Sequence, residues 1–246
     1  MKLARMPDGR PEIFYTLQGE GRNCGRPSIF IRASLCNLSC QWCDTAYTWN
    51  WEDTNFEHES GLKYRREDQI VDYSISDIIA FVEDFPCRNF VFTGGEPLLQ
   101  EKAWVELMTE VSRTNADASF EIETNGTLFP KEDFLTRIHQ INVSPKLSNS
   151  GCNKDARYKP EVLQKLAETG KADFKFVIGT NKDWKDLSSL LNEVSIPNDR
   201  IFLMPKANSP EELDRNQSIV AELAQQQGFR YSDRLHLRLY GAKRGV

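Results

Sequence analysis

Cys36, Cys40 and Cys43 stand at i, i+4 and i+7 within Ser34-Leu-Cys-Asn-Leu-Ser-Cys-Gln-Trp-Cys-Asp-Thr45. Three thiolates in one short loop can bind three irons of a cubane cluster and leave the fourth open to a small chelating molecule. A structural zinc site closes with four ligands, and a four-cysteine ferredoxin site needs a fourth partner at its own spacing. The other cysteines, Cys24, Cys87 and Cys152, lie far off along the chain and are expected to be unpaired. Free cysteine also packs as a small hydrophobe, so three half-buried structural thiols are the alternative. Three within eight residues, beside Trp42 and Asp44, favour a cluster.

Other segments offer complementary chemistry. In Thr93-Gly94-Gly95-Glu96-Pro97 the glycines let backbone approach a ligand closely, and Glu96 can accept from an ammonium. The same run could serve as a plain strand-to-helix turn. Ser144 and Lys146 can donate to a carboxylate or a ribose, with Pro145 between them. Of Glu123 and Asn125, only one need face a pocket. Arg32 suits bidentate recognition of a carboxylate, a geometry lysine cannot copy. Thr45 can be a metal ligand or a helix N-cap.

The cysteine triplet and the Gly-Gly-Glu-Pro run resemble the radical S-adenosylmethionine (SAM) superfamily. Tyr15-Thr-Leu-Gln-Gly-Glu-Gly21, Arg32, Cys43-Asp44-Thr45, Glu123-Thr-Asn-Gly126 and Ser144-Pro-Lys146 together resemble the 7-carboxy-7-deazaguanine synthase family, in motif order from about Glu12 to Lys146. The resemblance implies a radical SAM lyase of queuosine and deazapurine biosynthesis. Its [4Fe-4S] cluster would rest on Cys36, Cys40 and Cys43, with SAM on the open iron and Mg2+ at Thr45. Gln41, Trp42, Gly94, Gly95, Glu96, Glu123, Asn125, Ser144, Pro145 and Lys146 would surround SAM. Leu17, Gln18, Gly19, Glu20, Arg32 and Thr93 would hold 6-carboxy-5,6,7,8-tetrahydropterin, with Val246 brought over it by the C-terminal tail. The implied chemistry is hydrogen abstraction from C6 by a SAM-derived radical, ring contraction, loss of ammonia and regeneration of SAM. A flavodoxin or ferredoxin would supply the electron, and a homodimer is implied. A glycyl-radical activating enzyme shares the triplet but not Leu-Gln-Gly-Glu-Gly or the Thr after Cys-Asp. A non-catalytic iron–sulfur electron-transfer module would leave the Gly-Gly-Glu run without a purpose.

These groups need elements to carry them. Short apolar runs at 28–32, 88–93, 119–124, 140–144, 172–178 and 200–204 each end in a polar or Gly/Pro turn. Between them, 76–85, 101–114, 160–169, 184–194 and 210–227 carry helical periodicity, with Ser76, Pro160 and Pro210 as helix starts. This alternation predicts an α/β fold with a parallel sheet: a partial (β/α) barrel of about six strands, open on one side. The candidate residues fall just past the strands, at the rim where such barrels place their sites. One domain over 1–246 is expected, with a variable polar and aromatic insertion at about 46–75. Leu235, Leu237 and Leu239 alternate with His236, Arg238 and Tyr240, which predicts a half-buried strand on the open edge. The tail 241–246 is expected to close the pocket mouth.

The formal charge of −5, without a basic run, argues against a nucleic-acid partner. The N-terminal stretch lacks an apolar signal core and no segment reaches membrane-span length, so a cytoplasmic protein is expected. A reducing compartment also suits an oxygen-sensitive cluster.

Overall fold

The apolar runs form strands because each is buried on both faces, as in Ala172–Ile178, where all seven residues are buried. The computed structural model describes residues 1–246. The strands are β1 Lys2–Ala4, β2 Ile13–Leu17, β3 Pro27–Ala33, β4 Ile70–Asp72, β5 Asn89–Gly94, β6 Ser119–Thr124, β7 Gln140–Val143, β8 Ala172–Ile178, β9 Ile201–Pro205 and β10 Arg230–Tyr231. They join one sheet in the order β10-β9-β8-β7-β6-β5-β3-β1-β4, with β2 paired to β3. From β3 through β5 to β10 every neighbour is parallel. The sheet does not close on itself. The six predicted parallel strands are β3 and β5 to β9, and the two-residue β10 adds a seventh. The short β1, β2 and β4 extend the sheet antiparallel and carry too little periodicity to be read alone.

The helices are α1 Arg66–Gln69, α2 Ile75–Val82, α3 Glu101–Thr114, α4 Glu132–Arg137, α5 Lys154–Arg157, α6 Pro160–Glu168, α7 Asn181–Glu193, α8 Pro210–Gln227 and α9 Leu235–Tyr240. Helix α3 buries Trp104, Leu107, Met108 and Val111, the stripe its periodicity predicts. Pro160 and Pro210 occupy first-turn positions, where a missing N–H costs nothing. Helix α2 starts earlier than expected: Ser74, not Ser76, caps it, in a reciprocal capping box with Asp77. Phe92, Phe120 and Trp104 stack at the centre of one large apolar cluster.

The C-terminal segment corrects the sequence reading. Residues 235–240 are helix α9, not a strand. Only Leu237 is fully buried, against Leu213 and Ala207, while Leu239 is half exposed. The sheet ends at Tyr231, and the Leu235 N–H donates to Gly19 O (2.9 Å). With its first N–H turned onto the loop after β2, the segment follows that contact rather than its alternation.

Within 46–75, Tyr47, Trp49 and Trp51 are buried, and a bridge joins Trp51 to Tyr64 before α1 and β4. The aromatics therefore pack against the cysteine loop. Phe56 is exposed.

Candidate active site

The loops past β3 and past β5 to β9 surround one cavity of about 480 Å³. That volume lies within the ordinary range for small-molecule sites. Its wall includes Cys36, Cys40 and Cys43 with Trp42, Thr45, Gly94, Gly95, Asn125, Ser144 and Lys146. Leu17, Gln18, Gly19, Glu20, Arg32, Thr93, Glu123 and Val246 line the remainder. Gln41, Glu96 and Pro145 do not face it.

The cysteine loop is held by its neighbours. Leu35 takes φ 78°, a conformation unfavourable for a residue with a Cβ. Hydrogen bonds fix it there: its N–H donates to Thr48 O (3.0 Å), and its carbonyl accepts from Glu96 N–H (2.8 Å). Gly95 packs so closely that a Cβ would lie 2.0 Å from Leu35 O, and at Gly94 (φ 132°) one would lie 2.1 Å from Ala33 O. These glycines thus serve first to seat the cysteine loop against the end of β5.

No three His, Cys, Asp or Glu groups converge tightly enough to hold one metal ion. Three soft thiols spread over one wall instead fit a polynuclear iron–sulfur centre, whose ligands bind separate irons. Burial pushes the Cys36 thiol up to about 12 and raises Cys43 as well. Cys40 is raised by its contact with Cys152 and then by burial. Any metal that these thiols take must therefore displace their protons. Cys152 corrects the expectation that it stands apart: its Sγ lies 3.7 Å from that of Cys40.

Glu96 faces into the protein. Its oxygens accept from Leu98 N–H (3.0 Å), Thr124 Oγ1–H (2.9 Å) and Asn125 N–H (2.8 Å), which ties the end of β6 to the turn after β5. Burial raises its carboxyl despite those bonds. Glu123 and Asn125 both reach the cavity, as does Thr124 between them, because all three lie where β6 ends at the cavity rim. Glu123 accepts from Thr93 Oγ1–H (2.8 Å) and Gln18 Nε2–H (3.4 Å), while Asn125 Nδ2–H donates to Asn37 (2.8 Å). Lys146 donates to Ser144 Oγ (3.0 Å) and lies over the Trp42 ring.

Arg32 belongs to a buried charge cluster. Its Nε donates to Glu12 Oε1 (2.7 Å), which also accepts from the Tyr47 hydroxyl (3.0 Å). The other oxygen, Oε2, accepts from Arg244 Nε (2.7 Å). Two guanidinium groups therefore share one carboxylate, with Asp44 as a further negative charge acting on Arg32, and all of these line the cavity together with Thr45. Arg244 also stacks on Tyr47 and donates to Arg5 O (2.6 Å), so residues 241–246 lie along the cavity.

A second cluster joins Glu20 to Lys175 and Arg234, and Arg234 to Asp44 (2.5 Å). Burial pushes Glu20 up, but Lys175 and Arg234 outweigh it and hold the carboxyl well below its usual range. Glu12, Tyr47, Lys175, Arg234, His236 and Arg244 are cavity residues that sequence reasoning missed. Lys175 carried a readable signal, a lysine inside Phe-Lys-Phe-Val-Ile, since buried lysines are rare unless paired. Glu12 and Arg244 carried none.

Residues 31–216 match the Radical SAM superfamily. The 7-carboxy-7-deazaguanine synthase of Pyrobaculum aerophilum is 34% identical over 234 residues, covering 95% of each chain. That of Escherichia coli K12 is 32% identical over 83% of this chain and 86% of its own. The crystal structure of QueE from Escherichia coli superposes with a TM-score of 0.67 at 28% identity, over 96% of this chain and 95% of that one. The chain belongs to the 7-carboxy-7-deazaguanine synthase family of the radical SAM superfamily. As a radical SAM enzyme it uses a [4Fe-4S] cluster and SAM and acts on a small molecule. The partial barrel of this family accounts for the open sheet. No helix is long and apolar enough to cross a membrane.

Proposed function

We propose that this chain is the lyase that converts 6-carboxy-5,6,7,8-tetrahydropterin to 7-carboxy-7-deazaguanine and ammonia, for queuosine and deazapurine biosynthesis. The observation that carries this reading is the Glu12–Arg32–Arg244 cluster: two guanidinium groups on one carboxylate in the cavity that holds the cysteine triplet, suited to a carboxylate-bearing substrate. Cys36, Cys40 and Cys43 hold the cluster. Cluster and SAM, once bound, supply a carbon radical that takes hydrogen from the substrate and later returns it. Substrate and product differ by one ammonia, so the reaction consumes no net oxidant and SAM can be regenerated.

The protein's own groups bind and orient. The terminal amino groups of Arg32, free of other partners, meet the substrate carboxylate, and the Thr45 hydroxyl offers Mg2+ an oxygen at the same end. Gln18, Thr93 and Glu123, already bonded to one another, present donors and acceptors to the amide and amine edges of the pterin. Asn125, Ser144 and Lys146 take the polar groups of SAM. Residues 241–246 cover the mouth and exclude water. The chain acts as one domain carrying the 46–75 insertion, as a homodimer in the cytoplasm, reduced by a flavodoxin or ferredoxin.

The test is an anaerobic assay of reconstituted enzyme with substrate deuterated at C6. Product should exceed the SAM consumed, and label should pass through 5′-deoxyadenosine. Stoichiometric loss of SAM without a deazapurine would reject the reading.

A further inference from the structure

Cys152 is the one cysteine outside the triplet that the fold brings to the cluster loop. Its Sγ lies 3.7 Å from Cys40 Sγ across 112 residues of chain. Backbone contacts impose the approach. Gln41 N–H donates to Ser150 O (2.8 Å), and the Trp42 indole N–H donates to Asn149 O (2.8 Å). Gly151 takes φ 72° with its bare face against Gln41, where a Cβ would come within 2.3 Å of the side chain.

The other two triplet sulfurs each have a donor of their own. Leu38 N–H reaches Cys36 Sγ (3.5 Å), and the Thr45 hydroxyl lies 3.4 Å from Cys43 Sγ. No group other than Cys152 is hydrogen-bonded to Cys40 Sγ. An iron-bound cysteine is a thiolate and can only accept, so in the loaded enzyme Cys152 must be the donor of this pair. A second cavity, of about 370 Å³, lies behind the loop, and Trp49, Trp51 and Phe56 line it together with Cys152.

We infer that Cys152 is a positioning residue, not a ligand, and that its S–H donates to the Cys40 sulfur and raises the reduction potential of the cluster. The inference rests on Cys36, Cys40 and Cys43 being the three ligands. Adding an electron increases the negative charge on the cluster and its sulfurs, so a donor stabilises the reduced form more than the oxidised one. Without it the cluster accepts an electron less readily, and the electron that SAM cleavage requires becomes harder to load.

An anaerobic redox titration followed by electron paramagnetic resonance tests this, with one-electron mediators and reconstituted wild type, Cys152→Ala, Cys152→Ser and the Cys40→Ala/Cys152→Ala double variant. Cys152→Ala should keep the iron and sulfide content of wild type. At a fixed potential its ratio of reduced to oxidised cluster should fall by up to about tenfold, the bound set by one hydrogen bond to a charged acceptor, since only the part of the bond that differs between the two oxidation states counts. For a one-electron couple that bound is a shift of about 59 mV to more negative potential. Cys152→Ser keeps an O–H donor and should stay within about threefold of wild type. A Cys152→Ala cluster that titrates with wild type overturns the inference, as does a serine variant shifted as far as the alanine one. Loss of the cluster in Cys152→Ala would make Cys152 a ligand and also overturn it. Retention of an unaltered cluster in the Cys40→Ala/Cys152→Ala double variant, where no thiol can stand in for Cys40, would instead remove the three-cysteine assignment on which the inference stands.

Discussion

At the scale of single residues, the cluster assignment separates sharply by thiol. Replacing Cys36 or Cys43 with alanine removes a proposed ligand that no other cysteine touches, and each variant should fail to take up iron and sulfide on anaerobic reconstitution; for Cys40, whose sulfur Cys152 touches, the Cys40→Ala/Cys152→Ala double variant should fail in the same way. Cys24→Ala and Cys87→Ala should load normally, since Cys24 is exposed and Cys87 donates to Pro27 O, remote from the loop. Thr45 acts differently. Its hydroxyl can give its proton to the Cys43 sulfur while an oxygen lone pair faces Mg2+. Thr45→Ala should therefore reduce turnover about tenfold or more while leaving the cluster spectrum in place, and raised Mg2+ should restore part of the loss, because magnesium keeps most of its coordination from water and substrate. A deficit unmoved by Mg2+ would leave Thr45 with its bond to Cys43 as its only role.

The element that matters most beyond the barrel is the C-terminal unit of α9 and its tail. Helix α9 is anchored at one end by the Leu235 N–H on Gly19 and underneath by Leu237. Gly19 suits this contact, because a Cβ there would lie 2.5 Å from His236 Nδ1. The tail is held mainly by Arg244 on Glu12, Tyr47 and the Arg5 carbonyl. Deleting 241–246 removes that guanidinium and the cover it fixes while leaving α9 in place. KM for the pterin should rise about tenfold or more, which corresponds to the loss of one charge-assisted contact. The iron–sulfur absorption should not change. Steady-state kinetics on the truncated enzyme checks this, and unchanged constants would show the tail to be dispensable.

Across the whole molecule, one buried network ties together parts that are remote in sequence. Glu20, after β2, binds Lys175 of β8 and Arg234, which in turn binds Asp44 beside the cluster loop. Breaking such a pair strands buried charge, so Glu20→Gln should lower stability by about 3 kcal/mol at neutral pH. The pH dependence follows from the sign of the shift. The folded carboxyl is held below its ordinary range by Lys175 and Arg234, so its contribution is complete above the unfolded value of 4.5 and is lost as pH falls towards the folded value. The gap between wild type and Glu20→Gln should be constant from pH 6 to 7.5 and should narrow below about 4.5. Denaturant melts over that range measure it. A gap that stays constant into the acid range would mean that Glu20 contributes by packing and not by charge.

What the chain reveals by itself is local. The cysteine spacing, the Gly-Gly turn, the six parallel strands and the start of α8 at Pro210 each depend on neighbours within a few residues, so they are readable before any fold is known. The segment 235–240 is a helix despite its alternating leucines, because alternation is only a prior and contacts with Gly19, Ala207 and Leu213 outweigh it. The burial of Glu96 under the end of β6, the sharing of Glu12 between Arg32 and Arg244, and the approach of Cys152 to Cys40 were not legible at all. Each joins positions from 20 to 232 residues apart. Side-chain charge and hydrogen bonding are short-ranged, and only chain crossings set by the sheet bring such groups within reach. The cysteine triplet was therefore written in one loop, whereas the charges and donors around it exist only once the barrel has folded.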